Sequence, residues 1–249
     1  MDTLYIIVPC YNEEMCIGNT APVFLEKLGS LISSGAVSAD SRILFVNDGS
    51  SDSTWDCIEK LHSQDFHYCA VGFAKNRGHQ NALIAGLSES LERADFTVTI
   101  DVDLQDDINA IDKMVEKYNN GAEIVCGVRD SRETDSFLKR FTARAYYAIM
   151  NLFGERFIAD HADFRLMSRE AAKKLLYYHG DKLYLRGLVT MLGIPIETVT
   201  YDRSERVSGE SKYTLKKMLK LAASGFSCRR MKPSDTMRSE AEYICCRLF

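Results

Sequence analysis

The chain has 249 residues, 46% of them hydrophobic and 27% charged, with a formal net charge of −4. That is the composition of an ordinary globule, long enough for one sizeable domain and a tail and marginal for two. The charge excludes a general nucleic-acid binder, and no apolar run approaches the roughly 18 residues that a membrane-spanning helix needs, so membrane contact is expected to be peripheral.

The N-terminus enters a strand-like stretch within a few residues, with no basic region ahead of an apolar one, and so does not read as a secretory signal. Eight cysteines (Cys10, Cys16, Cys57, Cys69, Cys126, Cys228, Cys245 and Cys246) lack metal-ligand spacing, and several sit in apolar runs. This points to reduced thiols and a cytoplasmic setting.

In chain order, Leu4–Val8, Ile43–Val46, Ala70–Phe73, Phe96–Ile100 and Ile124–Gly127 read as strands. Helical periodicity falls on Thr20–Ser33, Ser53–Ser63, Gln80–Glu92 and Ala110–Tyr118. This alternation predicts an α/β fold with a mostly parallel sheet flanked by helices and ligands beyond the strand C-termini. The loops after the strands are polar: Pro9–Glu14, Asn47–Asp52, Asn76–Gln80 and the acidic run Asp101–Asp107.

The run Asp101-Val102-Asp103-Leu104-Gln105 carries the most chemistry. Alternate strand residues share a face, so Asp101 and Asp103 are expected to project together. Two carboxylates and the Gln105 amide suit Mg²⁺ or Mn²⁺, with open positions for phosphate oxygens. On the run alone, acids that merely solvate a turn or cap the next helix are the commoner reading, because such motifs are short; the rest of the chain shifts the balance. Asp48 directly follows a strand, where its carboxylate could accept from a nucleobase or ribose, while Asp52 or Ser53 can cap the next helix. The Gly78-His79-Gln80 loop places backbone N–H groups where phosphates could dock.

The second half is less regular. Ser136–Phe153, with Lys139, Arg140 and Arg144, and Tyr213–Leu221, with Lys216, Lys217 and Lys220, read as basic amphipathic helices. Such helices either pack on the core or lie on an anionic membrane surface. Ile196–Tyr201 is strand-like and leads to Arg203–Tyr213, a loop whose two Arg and one Lys can fold over an anion or stay solvated.

The ordered set resembles glycosyltransferase family 2, with the GT-A fold, and more narrowly the bacterial polyprenyl-phosphate (bactoprenol) glycosyltransferases, relatives of dolichol-phosphate mannose synthase. Its matching stretches are Ile6–Glu14, Val46–Asp52, Asn76–Leu83, Asp101–Asp107, Ala162–Met167 and Arg206–Tyr213. The resemblance implies a metal-dependent, inverting transfer of a sugar from a nucleotide sugar, UDP favoured, to polyprenyl phosphate. Pro9, Tyr11, Glu13 and Asp48 would hold the nucleoside, and Asp101, Asp103 and Gln105 the metal. Asp163 would face the reacting sugar, and Arg206, Ser211 and Lys212 would close over the phosphates. Arg129, Lys139 and Arg140 are lesser candidates for the acceptor phosphate. A soluble or polysaccharide acceptor, or a non-catalytic nucleotide-sugar binder, are the alternatives. A Gln-x-x-Arg-Trp signature of processive members is absent, as is a Gly-x-Gly-x-x-Gly after the first strand. The family pattern stops near Phe226, so the expectation is a glycosyltransferase domain over 1–226 and a truncated or frameshifted, disordered tail over 227–249.

Overall fold

The computed structural model describes residues 1–129, 161–178, 184–202, 233–238, 240 and 243–249. The basic helices expected over Ser136–Phe153 and Tyr213–Leu221, the Arg203–Tyr213 loop, and with them Lys139, Arg140, Arg206, Ser211 and Lys212, lie outside the described residues.

Strands β1 (Leu4–Cys10), β2 (Arg42–Asn47), β3 (Tyr68–Phe73) and β4 (Phe96–Thr99) alternate with helices α1 (Glu14–Ser33), α2 (Thr54–Gln64) and α3 (His79–Ser90). Then follow α4 (Ala110–Asn119), β5 (Ile124–Arg129), β6 (His161–Ser168), α5 (Arg169–Leu176), α6 (Leu185–Met191), β7 (Ile196–Tyr201) and β8 (Ile244–Leu248). The described strands form one sheet in the order β7-β5-β6-β4-β1-β2-β3-β8. Parallel pairing joins β1 to β2 and β4, β2 to β3, and β5 to β7, whereas β6 and β8 run antiparallel to their neighbours. The expected mostly parallel, helix-flanked sheet is therefore observed.

Parallel strands covered on both faces read as unbroken apolar runs, and β1 is buried along its whole length. Alternation assigns Leu4, Ile6 and Val8 to the face covered by α1, α2 and α4, and Tyr5 and Ile7 to the face covered by α3, α5 and α6. Phe24, Phe45, Phe96 and Phe164 are among the largest fully buried side chains. Each such ring stabilises the fold by about 1.5–3 kcal/mol. α3 lies so close to the sheet that a Cβ at Gly86 would meet Ile7 Cγ2 at 2.4 Å.

Three elements depart furthest from expectation. α1 begins at Glu14, not Thr20, and runs through Pro22. The proline ring crowds the carbonyl four residues back, which here belongs to Gly18, while Cys16 and Ile17 N–H already close the first turn on Glu13 O. β6 was legible only as a motif. It is an antiparallel strand whose register sets Thr99 opposite Arg165 and so carries Asp163 to the same sheet edge as Asp101. The tail expected to be disordered contains β8, which pairs antiparallel with β3 from Phe73↔Ile244 to Ala70↔Leu248. The unpaired edge of β3 supplies ladder partners that tail composition does not reveal.

Candidate functional site

The loops after β1, β2, β3 and β4 all open at one sheet edge, and strand order reverses direction between β1 and β4. Crevices at such a switch point are where α/β sheets bind ligands.

After β1, Asn12 adopts φ 54°, its N–H donating to Ser50 Oγ (3.0 Å) while its Oδ1 accepts from Ser51 N (2.9 Å). Glu13 N–H donates to Thr54 Oγ1 (2.8 Å) and Glu14 N–H to Asp52 Oδ2 (3.2 Å). Asp52 also accepts from Thr54 N–H at 3.1 Å, so the capping role expected of Asp52 or Ser53 belongs to Asp52. Its carboxyl is lowered: desolvation opposes this, but the Thr54 hydroxyl and several amides outweigh it. These bonds lock the first two loops together. Pro9 is buried within β1, Glu13 is half-buried, and the Tyr11 ring is 40% exposed at the rim.

Asp48 directly follows β2, as expected, and has a role the sequence does not announce. It is only 3% exposed, and its carboxylate accepts from Arg77 N–H (2.7 Å) and from Gly78 N–H (2.9 Å to Oδ2). Burial raises its carboxyl despite these amide bonds. Asp48 therefore ties the β3–α3 turn to β2 through two of its acceptor positions. The same bonds consume the Gly78 N–H that was expected to face a phosphate. Gly49 makes the turn possible: it adopts φ +62°, and a Cβ there would lie 2.2 Å from the Lys75 carbonyl carbon.

β4 ends at Thr99, one residue before the expected strand end, so the acidic run is a turn. Asp101 and Asp103 are thus brought together by the turn and not by strand alternation. Leu104 takes φ 50° and Gln105 N–H donates to Asp103 Oδ1 (3.2 Å). Asp101 has its side chain 49% exposed. Desolvation in the cleft raises its carboxyl, opposed by His79, and Asp106, Asp163 and Asp103 add repulsion. No group of three His, Cys, Asp or Glu among the described residues is placed to hold a metal alone. Two crowded carboxylates do match the form in which Mg²⁺ is shared between protein and substrate phosphates.

Asp163, with its side chain 10% exposed, is the centre of a charged cluster. Arg186 grips it with two donors, Nε to Oδ1 at 3.2 Å and Nη2 to Oδ2 at 3.1 Å. His79 Nε2 lies 3.6 Å from Asp163 Oδ2 and 3.9 Å from Asp101 Oδ1. Gln80 donates from Nε2 to Asp163 Oδ2 (3.4 Å) and accepts from Leu185 N–H at the start of α6 (2.9 Å). The Thr99 hydroxyl donates to the Asp163 carbonyl. Desolvation works against ionisation of Asp163, yet Arg186, then His79 and Arg165, hold its carboxyl well below the usual range. Desolvation likewise opposes the His79 charge, but Asp163 and Asp101 push it up to about 9. Buried Arg165 stands 4.0 Å from Asp163 Oδ1, its Nε and Nη2 making no hydrogen bond.

On the far side, Asp106 is buried and accepts from Tyr201 OH (2.6 Å) and Arg129 Nη2 (3.2 Å). Arg129, expected to await an acceptor phosphate, is first the partner of this carboxylate.

The structure thus unites Asp101, Asp103 and Asp163 with Gln80, and adds His79, Arg165 and Arg186. The sequence offers His79 only through the backbone of its loop, sets Arg165 inside the Ala162–Met167 stretch without a role, and places Arg186 in no motif at all.

Comparison with known proteins fits this geometry. The family model described as glycosyl transferase family 2 matches residues 5–176. An uncharacterized glycosyltransferase, YkoT, of Bacillus subtilis is 44% identical over 230 residues, covering 92% of this chain and 68% of that protein. A bactoprenol glucosyl transferase of Shigella phage SfX is 35% identical over 223 residues, covering 89% and 70%. Glucosyl-3-phosphoglycerate synthase from Mycobacterium tuberculosis, solved with Mn²⁺, UDP-glucose and phosphoglyceric acid, superposes with a TM-score of 0.61 at 16% identity, covering 97% and 90%. That likeness shows the fold, which is GT-A.

Proposed function

Because the chain belongs to glycosyl transferase family 2 and is therefore a glycosyltransferase, we propose that it moves a sugar, with inversion, from a UDP-sugar to polyprenyl phosphate at the cytoplasmic membrane face. The observation that carries the acceptor half is the Asp163 clamp. A carboxylate held ionised by Arg186 and His79 is a poor general base. A hydroxyl acceptor needs a base, whereas a lipid phosphate arrives already anionic. The bactoprenol glucosyl transferases among the relatives support the same acceptor class.

In this reading Pro9 and Glu13 border the nucleoside and the Tyr11 ring stacks on the base. Asp48 sets the neighbouring turn. Asp101 and Asp103, with Gln105, hold Mg²⁺ or Mn²⁺, which when bound offsets the charge of the departing diphosphate. Arg206, Ser211 and Lys212 close over that diphosphate. Lys139 and Arg140, with Arg129 secondary, face the acceptor phosphate. A phosphate oxygen attacks the anomeric carbon in line, a new C–O bond forms as the bond to the diphosphate breaks, and the electron pair leaves on the diphosphate. No proton is removed. Asp163 orients the sugar and steadies its cation-like transition state. The basic segments over 136–153 and 213–221 rest on the anionic membrane surface. No helix among the described residues is long and apolar enough to cross a membrane.

Incubation with radiolabelled nucleotide sugars, Mn²⁺ and undecaprenyl phosphate tests this. The expected result is chelator-sensitive label in the lipid fraction, greatest with a UDP-sugar. Transfer only to a water-soluble or polysaccharide acceptor would remove the lipid-phosphate assignment, and binding without transfer to any acceptor would reduce the chain to a nucleotide-sugar binder.

A further inference from the structure

The described part of the C-terminal segment, 233–249, follows the same helix that carries the site. β8 extends the sheet beyond β3, and Arg247 on it grips Glu89 of α3 with two donors, both at 3.1 Å. Phe249 packs under Arg93, 4.2 Å from guanidinium carbon to ring centroid. Upstream, Arg238 Nη2 donates to Asn81 Oδ1 (2.9 Å) and its Nε to Glu240 Oε1 (2.7 Å). Tyr243 lies flat beneath the Arg77 guanidinium, 3.3 Å away.

Glu240 is the unusual member. It is 2% exposed, and a carboxylate so buried demands cationic partners. Arg238 is one, at 2.6 Å. The other is Arg77, whose Nε stands 3.7 Å from Glu240 Oε2. Both of those atoms are buried and make no hydrogen bond, so each is the other's charged neighbour across the gap. Arg77 is also the residue whose N–H binds Asp48, and its chain continues directly into His79 and Gln80, which hold Asp163.

We propose that the C-terminal segment is a strap over α3, pinned by Glu240 on Arg77, and that it positions the Arg77–Gln80 turn for the reacting centre. Glu240, Arg238 and Tyr243 are positioning residues, acting on the site through Arg77 and Asn81. The effect on transfer rests on the proposed function, whereas the effect on the turn does not.

The test is hydrogen exchange and donor kinetics on the full chain, comparing wild type with Glu240→Ala, Arg77→Ala, the double variant and Arg77→Lys. Arg77→Ala keeps the backbone N–H that binds Asp48, and it decides the matter should Glu240→Ala not fold. Amides of Arg77–Asn81 should exchange at least tenfold faster in each single variant, with β1 unchanged, because freeing a few backbone residues opens the turn locally. The double variant should exchange no faster than either single one. In transfer, kcat should fall roughly tenfold with little change in donor KM, and Arg77→Lys should recover part of it. Exchange in Arg77–Asn81 unaltered by these substitutions, or loosening that simply sums in the double variant, overturns the strap. If wild type transfers no sugar to any acceptor, the proposed function fails while the exchange data still decide the strap.

Discussion

Asp48 and Asp163 stand at the same sheet edge, both nearly removed from water, and the chain holds them in opposite ways. Asp48 is hydrogen-bonded by peptide N–H groups of Arg77 and Gly78, the His79 and Arg77 charges attract it less than these amides do, and burial wins: its carboxyl is raised. Asp163 has a bidentate guanidinium and an imidazole, and its carboxyl is driven far down. Neutral dipoles satisfy a buried carboxylate geometrically, but fixed positive charge is needed to keep it ionised in a low-dielectric setting. The first arrangement shapes a loop. The second maintains a fixed negative charge in the cleft, where in the proposed function positive charge develops on the sugar.

Asp163→Asn tests the contrast most severely. It keeps the side-chain shape but deletes the charge facing Arg186 and His79, and transfer should fall by about 10³-fold. Donor binding, followed by calorimetry, should remain. Asp48→Asn should do the reverse. An amide there points a donor at the Arg77 or Gly78 N–H, so stability should drop by about 1–3 kcal/mol in denaturant unfolding. Its loss of kcat should be far smaller than that of Asp163→Asn. Equal kinetic losses would erase the distinction between a charge-setting and a loop-setting aspartate.

Asp103→Ala comes next. It should remove metal-stimulated transfer, about 10²-fold or more, while circular dichroism and unfolding midpoint stay near wild type. Unchanged activity would withdraw Asp103 from the metal site. Gly86→Ala makes a smaller test of the scaffold behind the cluster. The added methyl would press on Ile7 and Val46, costing roughly 1–3 kcal/mol of stability. Since α3 carries His79 and Gln80, its displacement should lower kcat as well.

The contrast between the two aspartates also marks what was readable beforehand. The strands β1 to β5 and the helices between them announce themselves through apolar runs and local periodicity, and the acidic turn through its spacing. β6 was harder, because it carries Asp163 and Arg165 inward and so breaks the apolar pattern of a buried strand. The loop-tying role of Asp48 was not legible because its partners lie 29 and 30 residues away, a distance no local pattern spans. Arg186 meets Asp163 only through the fold, 23 residues on. β8 escaped because a Cys-Cys-Arg tail looks like loose end until an open strand edge is there to receive it.

The mildest prediction concerns pH. His79 lies between Asp101 and Asp163, which raise it to about 9 from the ordinary value near 6.5. A group whose folded value is raised stabilises the fold fully below its unfolded value and loses that contribution as pH climbs through the folded one. In chelator-treated protein, therefore, the unfolding midpoint should decline between about pH 7 and pH 9, by a few degrees at most, because His79 is partly open to solvent and screened. His79→Gln should be less stable than wild type at pH 6.5, and the two should converge by pH 10. Asp163 contributes nothing to this window: its depressed value places its own loss at acid pH. A wild-type midpoint that is flat from pH 7 to 9, or one that falls equally in His79→Gln, would show that the imidazolium is not held between the two carboxylates.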